Sequence, residues 1–502
     1  MNLTKNIFLS QLLPRVNNRQ VAKSAIRTFA TSGQQSSGSQ EQRSEQPGIY
    51  DIVIVGGGAA GCALASALST SRTLGKLRIA MVDPAGLSQI GRWQPPTDTY
   101  LPRTLQITLS NKRYFERRGV WDHCYTDRVQ PCHRAVVTDA SGNGEIDLDA
   151  AGVLDRMALC DDSVAYMIET KNLVSGLLRS IYDSQQSPID MIERAKVVKI
   201  EPGHGPVKWP VVTLSNKAVL QARLLVGADG GNSQIRKFAG IGTYGTEYGQ
   251  YGLVATLCLE QLNTTAFQRF LPTGPIAMLP FPNGYANLIW SLYPEQLQML
   301  KSVSEELFAS LVNAAFRLSP AELQCFYRMI QTGAADGDVM AAIAWRLDVF
   351  ADKADIASEP SGSLLAPAVA AIAPRSRLSF PLRLRMVDSL IAERVALVGD
   401  SGHVMHPLAG QGLNMGLEDV QSLVSVLEQA MEAGQDIGAL QVLKSYNKKR
   451  YVRNLAMQGV VDKIWHVFGA QAAPLVGMRS LAMNGLDGFA AAKKMLLKGM
   501  MA

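Results

Sequence analysis

Four short apolar runs frame this chain, and glycine or aspartate follows each of them closely. Residues 51–55 (DIVIV), 77–82 (LRIAMV), 222–226 (ARLLV) and 394–398 (RVALV) are continuous rather than alternating, as in strands buried on both faces. An Ala-rich run, Cys62 to Ser69, follows the first and predicts a helix. After the fourth, Leu417, Val420, Val424, Leu427 and Met431 keep a period near 3.6 and predict a longer one. The segments 252–259, 274–280 and 285–292 read instead as strands of an antiparallel sheet. Residues 305–316 predict a helix, the Ala-rich stretch up to 375 carries no assignment, and 440–500 read as terminal helices. There is no internal repeat. The longest apolar stretch, Leu364 to Ala373, is broken by Pro367, so no helix is expected to cross a bilayer.

Charge changes this picture at one end only. Of the formal +6, residues 1–29 supply +5 through Lys5, Arg15, Arg19, Lys23 and Arg27 with no acid, which leaves about +1 for all the rest. That leader, amphipathic around Ile7, Leu9, Leu12 and Leu13, has the composition of a mitochondrial transit peptide. Residues 30–48 are a Ser-, Gln- and Gly-rich linker with too little apolar surface to pack. A near-neutral body excludes a nucleic-acid footprint. Six scattered cysteines without CxxC spacing predict free thiols, and His403 and His406 do not combine with them as metal ligands, so no metal is expected.

Chemistry gathers where the strands end. Strand 51–55 runs into Gly56-Gly57-Gly58-Ala59-Ala60-Gly61 and then a helix, the context a GxGxxG dinucleotide loop requires. Gly56 permits the turn, Gly58 lets a pyrophosphate approach the backbone, and Gly61 lets helix and strand pack. Asp83, at the end of the second strand, is placed to accept from the adenosine ribose hydroxyls. The third strand ends at Asp229 and Gly230, a turn lying close to a ligand. The fourth ends at Gly399 and Asp400, where the carboxylate can accept from ribityl hydroxyls, and leads to Gly410-Gln411-Gly412, bare enough to lie against a flat ring. The helix that follows would aim backbone N–H groups at Gly412, Leu413 and Asn414 toward the charge that a reduced flavin carries near N1 and C2. The three loops together select FAD.

With these signatures the chain resembles the single-component aromatic-hydroxylating flavoproteins of the para-hydroxybenzoate hydroxylase class, from about Tyr50 to the last helices. Within that class it is similar to the ubiquinone-biosynthesis hydroxylases, on residues 268–280 and 376–382 and on Arg103 with Leu109, Gly119 and Trp121. The resemblance implies an α/β fold, with a Rossmann-like FAD-binding domain, an antiparallel β-sheet substrate domain and C-terminal helices. It places Arg103 against FAD. It implies a polyprenylated hydroxybenzoate or phenol as substrate and O₂ as co-substrate, with transfer through a C4a-hydroperoxyflavin. NADPH, through a ferredoxin, is the implied electron source; a single GxGxxG follows a strand, so no second Rossmann domain is expected. Other ubiquinone-biosynthesis proteins, on the matrix side of the mitochondrial inner membrane, are the implied partners. Three positions depart from the family pattern. Asp83 replaces the usual Glu, Asp400-Ser401-Gly402-His403 replaces GDAAH, and Glu169-Thr170 replaces Glu-Asn.

The expected organisation is FAD-binding segments at 49–125, 167–245 and 376–440, with substrate-domain segments at 126–166 and 246–375 and helices from 441 to 502. No general base stands out; His403, His406 and Pro407 are weak catalytic candidates, the two histidines favoured as structural. Arg269 and Arg377 are either contacts for a benzoate carboxylate or structural ion pairs. Trp290 and Tyr248 line an aromatic site or belong to the core. The terminal segment 488–501, with Lys493, Lys494 and Lys498 beside Met and Leu, is open to a membrane surface or to plain solvent. Three functional alternatives stay open: a non-catalytic FAD-stabilised subunit, hydroxylation of another aromatic, or a different reaction of the same fold such as halogenation, against which the missing WxWxIP motif speaks.

Overall fold

The computed structural model describes residues 47–150, 163–184, 189–204, 206–356 and 365–501. The leader expected at 1–29 and nearly all of the 30–48 linker lie outside them. Among the described residues the strands form three sheets.

The first sheet is built on the four apolar runs. Val395–Leu397, Val219–Gly227, Gly48–Val55, Ile79–Asp83 and Asp190–Glu193 lie side by side in that order, all parallel. Ile391–Ala392 adds an antiparallel hairpin at one edge. Helices Ala59–Ser69, Thr170–Asp183 and Gln411–Glu432 bury their apolar residues against it. Ile52, Ile54, Leu224, Leu225 and Leu397 have no exposed surface, which is why these strands read as continuous apolar runs.

The second sheet has nine strands: Thr243–Leu259, Tyr285–Leu292, Gly274–Pro280 and Thr265–Leu271 pair antiparallel at its centre. It departs from a wholly antiparallel sheet, because Arg134–Asp139 joins Thr265–Leu271 in parallel. Leu378–Val387, expected with the FAD-binding segments, pairs with Thr243–Leu259 instead and belongs to this sheet. This second sheet forms a roof: its Leu279, Asn287, Ile289 and Phe380 line a cleft at the strand ends of the first sheet. The stretch without an assignment forms helices Pro320–Gln331 and Asp336–Ile356. With Glu305–Arg317 they cover one side of the roof sheet in a second core around Leu253, Leu257, Trp290, Phe308 and Leu311. Trp290 is therefore core. The small third sheet joins Thr104–Thr108, Ala165–Glu169 and Gln130–Cys132. Helices Leu440–Gly469, Ala473–Gly488 and Ala490–Met501 close the chain.

Candidate functional site: a cleft of glycine loops and the chamber beside it

Gly56 takes φ +113, and a Cβ there would lie 2.2 Å from the Ala228 carbonyl oxygen. At Gly61 a Cβ would lie 1.9 Å from the Gly56 oxygen. Both glycines are demanded by backbone packing. Gly58 differs: a Cβ there would meet nothing within 4 Å, because it faces the cleft. Gly58 caps the helix Ala59–Ser69 without a side-chain bond, and no acid sits in the first turn, so the free N–H groups keep their positive field for an anionic ligand. The Asp83 carboxylate accepts from Gly57 N at 2.5 Å and Ala85 N at 2.6 Å, tying the second strand to this loop.

The second loop puts Ala228 and Gly230 on the cleft but not Asp229. The Asp229 Oδ2 accepts from Gln234 N at 2.7 Å, so the carboxylate secures the start of the short helix Gln234–Phe238 rather than facing the ligand. Arg236 is likewise internal. It donates to Ser401 O at 2.9 Å and Gly231 O at 2.8 Å, binding the second loop to the third.

In the third loop Gly399 takes φ +59 and Asp400 opens onto the cleft. Surrounding protein still withholds water from the Asp400 carboxyl and pushes it above its usual range, with His403 pulling the other way. Gly402 is buried, and a Cβ there would come within 2.5 Å of a Leu390 methyl.

A buried charge network holds this loop. His403 Nε2 lies 2.5 Å from Asp419 Oδ2, which also accepts from Gly399 N at 3.1 Å. Arg450 Nε and Asn454 Nδ2 donate to Asp419 Oδ1 at 2.8 and 3.1 Å. Burial raises the Asp419 carboxyl, but His403 and Arg450 outweigh it and hold the pKa below the ordinary value. His403 is thus a positioning group. Sequence reading missed Asp419 and Arg450. The signal was there: an acid among Gly416, Leu417, Val420 and Leu423 on the buried face of a helix needs a partner.

Asn414 is fully occupied inside the protein. Its amide donates to Gln106 O at 2.9 Å and Gly410 O at 3.2 Å and accepts from Thr108 N and Asn111 Nδ2. This pins the start of Gln411–Glu432 beside the strand Thr104–Thr108. Gly410 turns at φ +61, and Gly412 has only a Met405 carbon within 4 Å of its would-be Cβ. Here too the bare backbone faces open space.

Gly58, Ala228, Gly230, Gly399, Asp400, Gly412 and Leu413 line one cleft of about 550 Å³ together with Arg103 and Pro407. Gly56, Gly61, Asp229 and Asn414 stand behind it as supports, and Asp83 is half-buried beside the first loop. The cleft fits a dinucleotide carrying a flat ring: a helix N-terminus, a carboxylate partway along, and glycines at the positions where a side chain would fill the space. Leu279, Asn287, Ile289 and Phe380 of the roof sheet face it.

Arg103 reaches this cleft on a loop anchored by a second buried pair that sequence reading missed. Arg128 bonds both Glu169 oxygens at 2.7 and 2.9 Å. The same Glu169 accepts from Leu101 N at 2.7 Å, and Thr170 N donates to Arg103 O at 3.0 Å. Arg269 and Arg377 are structural: Arg269 donates to Ala315 O, and Arg377 to Leu300 O and Val303 O. Tyr248 donates to Asp462 at 2.9 Å.

Beyond Pro407 the cleft meets a second cavity of about 410 Å³, and Gln106, Leu279, Ile289, Pro407 and Gly410 line both. Its walls are largely apolar, including Val137, Phe270, Ala277 and Ile464. His406 stands at this wall with no hydrogen-bond partner on either ring nitrogen, and burial depresses its pKa to about 4.

Such a parallel sheet and glycine cleft beneath a separate roof sheet are the architecture of the class A FAD-dependent monooxygenases. A family model described as an FAD binding domain matches residues 49–292 and 357–461. Among solved structures, p-nitrophenol 4-monooxygenase PnpA from Pseudomonas putida covers 91% of this chain and 99% of its own, with TM-score 0.64 at 13% identity. HpxO of Klebsiella pneumoniae, complexed with FAD, covers 89% of this chain and 97% of its own, with TM-score 0.60 at 15% identity. At such identities these speak to the fold. Sequence relatives are nearer. The ubiquinone biosynthesis monooxygenase COQ6, mitochondrial, of Saccharomyces cerevisiae is 37% identical over 468 residues, covering 91% of this chain and 94% of its own. The protein of the same name from Homo sapiens is 30% identical over 456 residues, covering 89% and 92%. The chain belongs to the ubiquinone biosynthesis monooxygenase family, with FAD as its cofactor. Its relatives are named as mitochondrial, and no helix among the described residues is long and apolar enough to cross a membrane.

Proposed function

We propose that this monooxygenase hydroxylates the ring of a polyprenylated hydroxybenzoate or phenol, at ring C5 and also at C1. One observation carries the reading: the apolar chamber that opens off the cleft at Pro407 and Gln106. A ring held at that junction sits beside the flavin end of the cleft, and an apolar tail has the chamber to enter.

In this reading the helix N-terminus beyond Gly58 takes the pyrophosphate, supported by Gly56 and Gly61. Asp83 keeps lone pairs for a ribose hydroxyl. Asp229 holds the turn that presents Gly230, Gly399 presents Asp400 to the ribityl chain, and Arg103 closes over the cofactor. Gly410, Gly412 and Leu413 offer backbone N–H groups to the ring edge, with Asn414 fixing their position. Reduced FAD supplies the oxygen-activating chemistry when bound. The protein's own share is to orient the ring, exclude water with Leu279, Ile289 and Phe380, and stabilise charge with preorganised amides. Electrons come from NADPH through a ferredoxin, and the enzyme works on the matrix side of the inner membrane with other ubiquinone-biosynthesis proteins.

Deleting the gene and weighing the accumulated quinone precursor tests this. The expected species lacks one ring hydroxyl. A precursor already hydroxylated at every position would overturn the proposal.

A further inference from the structure

The last helices bury charge and expose apolar side chains, the reverse of a helix that faces water. On Ala473–Gly488 the inward residues are Arg479, Ser480 and Met483. Arg479 is 5% exposed and makes a two-pronged pair with Asp139 at 2.7 and 3.0 Å. Facing out on the same helix are Leu475, Met478 and Leu481, spaced at three and exposed by 45, 60 and 75%. Next along the chain, Phe489 is 70% exposed and Met495 78%. Apolar surface of this kind on one pair of helices marks an interaction site rather than scatter.

Charge says what kind of surface would meet it. Residues 440–501 carry ten Lys or Arg and two Asp, a net +8 in a chain whose total is +6. Arg450 and Arg479 are consumed in buried pairs and Lys493 pairs with Asp487, while Lys444, Lys448, Lys449, Arg453, Lys463 and Lys498 are exposed. Cationic and apolar side chains side by side match the headgroup layer of an anionic bilayer, where the first pair with phosphate and the second enter the acyl boundary.

Met483, Leu486, Leu496 and Met500 of these helices also line the chamber, and Leu486 and Leu496 are 40% exposed to the outside. We propose that Ala473–Gly488 and Ala490–Met501 form a docking face for an anionic phospholipid surface, with the chamber mouth between Leu486 and Leu496 turned toward the lipid. A substrate tail then passes from bilayer to chamber without crossing water. The docking face stands on its own observations; the tail's path rests on the proposed function.

The test is flotation of the full-length, FAD-loaded protein. One set of vesicles is phosphatidylcholine alone, and the other is phosphatidylcholine and phosphatidylglycerol in equal parts. The wild type is expected to float with the anionic vesicles. The triple variant Leu475→Glu, Met478→Glu and Leu481→Glu is expected to float about tenfold less. None of the three residues lines the cleft or the chamber. The variant's flavin content, and its single-turnover hydroxylation of a tailless phenol after dithionite reduction, should therefore stay at the wild-type level. If the glutamate variant loses its flavin, glutamine at the same positions replaces it. Wild type that stays at the bottom, or a variant that floats equally, overturns the docking face; equal flotation on phosphatidylcholine alone overturns its anionic specificity. Wild type that floats yet hydroxylates neither tailed nor tailless ring leaves docking standing and removes the proposed function.

Discussion

A methyl group added at Gly58 would meet only the space of the cleft, whereas one at Gly61 would strike the Gly56 carbonyl oxygen. The two glycines serve different ends, and substitution separates them. Gly58→Val should leave the apoprotein's melting temperature nearly unchanged and abolish retention of flavin on purification. Gly61→Val should lower apoprotein stability by about 1–3 kcal/mol, from forced overpacking. A thermal melt with an absorbance ratio reads both, and equal melting losses would contradict the assignment. Asp400→Ala removes a carboxylate that opens on the cleft. Flavin affinity should fall by about tenfold or more, since a hydrogen bond to a charged group is worth about 1.5–3 kcal/mol. The circular dichroism spectrum should not change. Full flavin content in that variant would misplace the strand tip.

Among the elements, the helix Gln411–Glu432 carries the most. Its first turn presents Gly412 and Leu413 to the cleft, and its Asp419 gathers His403, Arg450, Asn454 and Gly399 N. Asp419→Asn leaves the Arg450 and His403 partners short of a negative charge, and should cost about 3–5 kcal/mol in urea unfolding. The folded pKa of Asp419 lies below its ordinary 3.8, so its stabilisation is present above that pH and is lost as pH falls further. His406 acts in a different window. Its folded pKa of about 4 lies below the ordinary 6.5, so between these values the unfolded chain binds the extra proton. Stability therefore rises with pH across that interval, by up to about 3 kcal/mol, and is complete above it. His406→Leu should flatten that part of the stability profile. An unaltered slope would show that another group titrates there.

At the scale of the whole molecule, the parallel sheet supplies the loops of the cleft and the roof sheet supplies its cover, and the chamber is made by elements remote in sequence. Ala277 of the roof, Val137 near the roof's edge and Ile464 of the long helix Leu440–Gly469 share one wall system. Filling it tests the substrate class. Ala277→Trp should raise KM for a tailed phenol by about tenfold while a tailless phenol reacts as before, because pocket shape discriminates by a few kcal/mol at most. Equal loss on both substrates would mean that the chamber serves the ring and not the tail.

Much of the cofactor cleft was legible in sequence because its logic is local. A buried strand, a glycine turn and a helix start occupy a dozen adjacent residues, and the constraint on Gly56, Gly58 and Gly61 acts within that span. Where reading stopped, the partners were distant: Asp229 was expected at the ligand but meets its own helix, Arg269 and Arg377 meet carbonyls of other helices, and Glu169 meets Arg128. A side chain's type says that it needs a partner, while only the packed chain says which. The sequence determined by itself the nucleotide-binding loops, the cofactor and the family, since hydrogen-bonding and steric demands at a tight turn are met by neighbours. Tertiary structure alone decided which groups face the cleft, which stand behind it, and that an apolar chamber joins it, since these depend on strands and helices hundreds of residues apart coming into contact.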